Sequence, residues 1–115
     1  MNKESKVRIT KAVLAQLPEQ LAEMIAEWKR EYHKAHFSVE DCTEFYAGED
    51  DHLRAFSPDF KSSARLRVAG EWAGLTGVTP GDRCPLPVGC VVAATGIFCG
   101  WPWLHVYTNQ GLKLT

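Results

Sequence analysis

A chain of 115 residues is the size of one domain, able to bury a modest core without disulfide or metal staples. Apolar residues at 45% and charged residues at 23% exclude a disordered tail. A formal net charge of −1 excludes global attraction to phosphate, so any nucleic-acid contact must come from a local basic patch.

No basic-then-apolar leader opens the chain, and no apolar run approaches the ~18 residues of a membrane span. The expectation is a cytoplasmic protein without a membrane partner. Cys42, Cys84, Cys90 and Cys99 are then expected reduced, as small buried hydrophobes.

The first third, residues 1–36, begins with a basic arm of Lys3, Lys6, Arg8 and Lys11 around the alternating Val7 and Ile9. A helix is predicted next, with Pro18 in its first turn, where a missing N–H costs nothing. Glu19 and Glu23 suit its positive end, and Lys29, Arg30 and Lys34 its negative end. Leu14, Leu17, Leu21, Met24, Ile25, Trp28 and Tyr32 recur at steps of three and four, which makes one apolar stripe. Two uses are open for it: packing on the protein's own sheet, or a helix-to-helix dimer seam.

Residues 37–63 form an acidic connection carrying one strand, read from Phe37, Val39, Phe45 and Tyr46. Glu40, Asp41, Glu44, Glu49, Asp50 and Asp51 are ordinarily a solvated face. Less often such a cluster docks on a basic partner. Ser57-Pro58-Asp59 marks a turn.

Residues 64–115 are β-rich. Leu66 and Val68 alternate with Arg65 and Arg67, the pattern of a half-buried strand. Val91–Ala94 with Ile97-Phe98 makes a second run, and Trp103–Thr108 a third, which Asn109-Gln110-Gly111 turns into Leu112–Leu114. Short strands punctuated by Gly and Pro predict a small barrel or sheet. On the third run Leu104 and Val106 are the core candidates. Trp103, His105 and Tyr107 share the other face, expected either to cover the helix through Trp28 and Tyr32 or to lie exposed.

Within this region, Leu66-Arg67-Val68-Ala69-Gly70-Glu71-Trp72, then Gly77-Val78-Thr79-Pro80-Gly81-Asp82, then Gly89-Cys90-Val91-Val92 follow in order. This series, preceded by Ser57-Pro58-Asp59-Phe60, resembles the SymE family of small toxin-like proteins over residues 57–94. The resemblance implies an AbrB/MazE-type swapped-hairpin barrel, a homodimer, and Trp72 as a plug at the barrel end. It departs from the family at Cys84-Pro85-Leu86-Pro87, in its long N-terminal helix and in its aromatic C-terminal segment. The fold expected is α+β, an N-terminal amphipathic helix packed on a small β-barrel or sheet, in a single domain.

No catalytic constellation emerges. His33, His36, Cys42 and His52 suggest zinc ligands, but no Cys-x-x-Cys accompanies them. Asp51-His52 lacks a nucleophile motif. Neither metal nor cofactor is expected, and the chain reads as a non-enzymatic binder. The leading expectation is a SymE-like dimer that binds DNA or RNA through Lys6, Arg8, Arg65, Arg67 and Arg83. The alternative is a protein of phage or mobile-element type that inhibits another protein, through Glu49, Asp50, Asp51, Trp101, Trp103 and Tyr107.

Overall fold

The computed structural model describes residues 6–46, 52–56, 64–67, 83–86 and 88–114. The basic arm forms a short strand, β1 (Lys6–Arg8), and ends at Thr10. The Thr10 hydroxyl accepts a hydrogen bond from the Val13 amide at 3.2 Å, which caps the one-turn helix α1 (Lys11–Leu14). Pro18 then starts the long helix α2 (Glu19–Glu31), with Glu19 in its first turn and Lys29 and Arg30 in its last, as the helix dipole favours. The remaining strands are β2 (His36–Asp41), β3 (Glu44–Tyr46), β4 (His52–Phe56), β5 (Ala64–Arg67), β6 (Arg83–Pro85), β7 (Val91–Phe98) and β8 (Trp101–Thr108).

Six strands make one mixed sheet in the order β1-β2-β8-β7-β4-β5, in which only β2 and β8 run parallel. The sheet is open among the described residues, with β1 and β5 at its edges. Strands β3 and β6 pair separately as a two-stranded ribbon. Phe37 and Val39 therefore belong to one sheet and Phe45 and Tyr46 to another, where the sequence suggested one strand. The break falls at Cys42-Thr43: the Cys42 amide donates to the Thr108 carbonyl, and the Leu86 amide donates to the Thr43 carbonyl.

Packing follows the two faces of the large sheet. On one face Val39, Leu104, Val106, Val91 and Ala93 meet Val13, Leu17, Leu21 and Ile25 of the helical segment, all buried. The apolar stripe is thus core, not a seam left for a second helix, and Tyr32 lies at its exposed end. On the other face Val92, Ala94 and Leu53 meet Phe45 and Leu86 of the ribbon and Cys90. Coverage on both sides explains why Val91–Ala94 is a continuous apolar run rather than an alternating one.

The C-terminal segment is not a further strand. The Gln16 side-chain amide donates to the Lys113 carbonyl at 3.1 Å and accepts from the Lys113 amide at 3.0 Å, tying the segment to the helical layer. Leu112 and Leu114 pack at the edge of that core. Cysteines divide by place: Cys90 is buried, Cys42 half-buried and Cys99 exposed.

The bridge of the expected swapped hairpin, residues 68–82 with Gly70, Trp72 and Gly81, lies outside the described residues. Its flanking strands take different partners, β5 pairing with β4 and β6 with β3.

Candidate functional site

The expected basic residues do not converge. Lys6 and Arg8 are exposed on edge strand β1, while Arg65 and Arg67 sit on β5, the opposite edge. Five strand-to-strand steps, about 24 Å, separate the two edges. For Arg65 and Arg67 only the backbone is described, with register partners Arg54 and His52. Arg83 belongs to the ribbon, where it lies 3.8 Å from Glu44 in an exposed ion pair. A single protomer therefore does not assemble these five residues into one surface. Glu49, Asp50 and Asp51 of the acidic alternative lie outside the described residues.

The aromatic residues do share a surface, but not the expected one. Leu104 and Val106 face the helices, so Trp103, His105 and Tyr107 cannot also cover Trp28. Trp28 instead meets Tyr32 and Phe37 edge-on, with ring centroids 5.2 and 6.4 Å away. Tyr107 is half-buried under the ribbon, 5.5 Å from the Phe45 ring and stacked on His105 at 4.2 Å. It serves packing, and its assignment to a partner surface is corrected.

Trp101 and Trp103 lie at the turn end of the β7–β8 hairpin. Its two-residue loop, Cys99-Gly100, has φ of 55° and 81°, and positive φ at both positions is what a type I′ turn requires. The tight turn pairs Phe98 with Trp101 and Gly96 with Trp103, so all four positions share one face. A Cβ at Gly96 would stand 2.5 Å from Trp103 Cζ2 and 2.7 Å from Cε2. The indole therefore lies flat against the strand, and only glycine leaves it room. Phe98 and Trp101 remain 74% and 54% exposed. With His36, Cys99 and Pro102 these rings line a pocket of about 580 Å³.

Gly96→Ala is expected to lift the Trp103 ring and to cost about 1–3 kcal/mol through overpacking. A changed aromatic band in near-ultraviolet circular dichroism, with a lower melting temperature, is the readout. An unchanged spectrum would refute the flat packing.

Cations gather at the same end of the sheet. Lys34 Nζ sits 5.1 Å from the centre of the Trp101 ring, and Lys29 Nζ 5.8 Å from Phe37. A second pocket, about 250 Å³, is lined by Arg8, Lys29, Tyr32 and His33 over Ile9, Ala35 and Phe37. Lys34 and His36 thus stand beside the exposed rings, while strand β1, the end of α2 and the segment leading into β2 bring Arg8, Lys29 and His33 around the second pocket, on the helix face with Phe37. Sequence reading treated Lys29 and Lys34 only as helix-dipole partners and His33 and His36 as a rejected zinc set. The signal was legible: five cationic or imidazole residues fall within residues 29–36.

Two titratable groups with shifted pKa lie further along, His105 on β8 and the half-buried Cys42 just past β2. His105 Nε2 is 3.5 Å from Glu40 Oε1, and no hydrogen-bond partner satisfies it. Burial, then the charges of Lys6 and His36, push its pKa down to about 4, so the ring is neutral at pH 7. Burial and the nearby Glu40 push the Cys42 thiol up to about 11, which leaves it a poor nucleophile. Among the described residues no three His, Cys, Asp or Glu side chains come together as metal ligands, and no helix is long and apolar enough to cross a membrane.

Comparison with known proteins gives no match: no family model fits the chain, and neither a curated protein nor a solved structure matches it.

Proposed function

We propose that the protein is a non-enzymatic nucleic-acid binder whose contact surface is the hairpin end of the sheet, where cations flank exposed aromatic rings. One observation carries this reading: Lys34 lies over the exposed Trp101 ring, at the end of the sheet where Arg8, Lys29 and His33 line a basic pocket on the helix face. Phosphates need fixed cations, and this end supplies them from three segments although the whole chain is net negative. Of the basic residues singled out in the sequence, Arg8 belongs to this surface; Lys6 lies further along β1 opposite Glu40, and Arg65, Arg67 and Arg83 lie on β5 and the ribbon. The homodimer implied by the SymE resemblance would form at the β5 edge, which pairs with no further strand among the described residues. In such a dimer β5 would join the two copies and leave both hairpin ends open.

Anisotropy titrations of labelled DNA and RNA across salt concentrations test the proposal. Affinity should fall as salt rises, through counterion release. Arg8→Glu with Lys34→Glu should weaken binding at least tenfold and flatten the log–log salt slope by about 1.4 on a single strand. Arg83→Glu should leave both unchanged. Absence of salt-dependent binding to any nucleic acid would overturn the proposal.

The exposure of Ile97 and Phe98, 74% each, supports a second reading in which the hairpin anchors a protein partner. Such binding should survive high salt and nuclease treatment.

A further inference from the structure

We infer that the pocket at the hairpin end takes unpaired bases, so that the ligand class is single-stranded rather than duplex nucleic acid. This rests on the nucleic-acid reading above and specifies what that surface selects. The pocket of about 580 Å³ is built from π-faces and edges: Phe98, Trp101 and Trp103 on one face of a two-stranded hairpin, with Pro102 beside them. A duplex hides the faces of its bases inside its own stack. Only an unpaired base can lay a face on these rings.

Three features make this a stacking surface rather than a generic apolar patch. First, Gly96 lets the Trp103 indole lie against the backbone, which presets the ring before any ligand arrives. A preset ring loses little entropy on binding. Second, the tight Cys99-Gly100 turn holds Phe98 opposite Trp101 at the mouth, both largely exposed. Third, the polar groups beside the rings are basic: His36 in the lining and Lys34 over Trp101, with Arg8, Lys29 and His33 around a second pocket at the same end of the sheet, on its helix face. A strand whose bases enter the aromatic pocket would bring its phosphates to these cations. Stacking with backbone neutralisation is how strands are bound without regard to sequence, because every base has a π-face.

The test compares an oligothymidine strand with a duplex of equal length, using the full chain at one salt concentration. Anisotropy reports affinity, and intrinsic tryptophan fluorescence reports stacking. The single strand should bind more tightly and quench the fluorescence. Phe98→Ala with Trp101→Ala should weaken single-strand binding about tenfold or more, leave duplex affinity and the salt slope unchanged, and keep the melting temperature, since both side chains are exposed. Trp101→Phe should retain most of the affinity. Equal binding of strand and duplex, without quenching and without effect of the double variant, would overturn this inference and leave the cationic surface standing. No binding of either would sink both. Quenching by vesicles of anionic phospholipid, and none by the oligonucleotide, would also overturn it and make the hairpin a lipid-inserting tip.

Discussion

Leu21→Ala should remove a large part of the protein's stability, costing about 2–5 kcal/mol. Leu21 is wholly buried, packed with Ile25 from the helix against Val39, Leu104 and Val106 of the sheet. Truncation removes the transfer energy of three carbons and leaves a cavity that a layer fixed on both sides refills poorly. A domain of this size has about 5–15 kcal/mol of stability. The loss should appear as a fall in the denaturation midpoint, with each kcal/mol lowering the melting temperature by about 4–8 °C. The same variant separates core from dimer seam. A core role predicts destabilisation that does not depend on protein concentration. Native stability with lost self-association would refute the packing described above.

Acid should weaken the protein through His105. The ring is 11% exposed, unpaired at Nε2, and held neutral with a pKa of about 4, against 6.5 for an ordinary histidine. A depressed folded-state pKa means that the unfolded chain binds the extra proton first as pH falls. The stabilisation is therefore complete above pH 6.5 and is lost between about 6.5 and 4. The gap corresponds to about 3 kcal/mol. Urea denaturation at stepped pH should show unfolding free energy falling across this window. His105→Gln should flatten the fall, and the wild-type-minus-variant difference cancels the carboxylates that titrate nearby. An identical pH profile in the variant would exclude His105 as the cause.

Helix α2 was legible because its determinants are local: Pro18 at the start, charges matched to the dipole, and an apolar stripe at steps of three and four. The strands β5, β7 and β8 were legible for the same reason, and so was the choice of Leu104 and Val106 as core residues over their alternating neighbours. Val13 was missed, because it lies in a single capped turn too short to show a period. The split between β2 and β3 was missed as well. Nothing local in Cys42-Thr43 announces it, since the break is made by hydrogen bonds to Thr108 and Leu86, more than forty residues away.

The functional surface divides in the same way. Sequence by itself determined that cations crowd residues 29–36, that aromatic residues crowd 98–107, and that the chain as a whole has no charge to attract phosphate. It could not decide which cations meet which rings. That choice belongs to tertiary structure: the parallel pairing of β2 with β8 sets His36 opposite Trp103 and brings Lys34 onto Trp101, whereas the strand order sends Arg65 and Arg67 to the far edge from Arg8. Strand order is fixed by which faces bury together across the whole sheet, a long-range property with no local signature. Helix spacing and alternation are written in neighbouring residues, but the meeting of a helix end with a distant hairpin is decided only when the layers close.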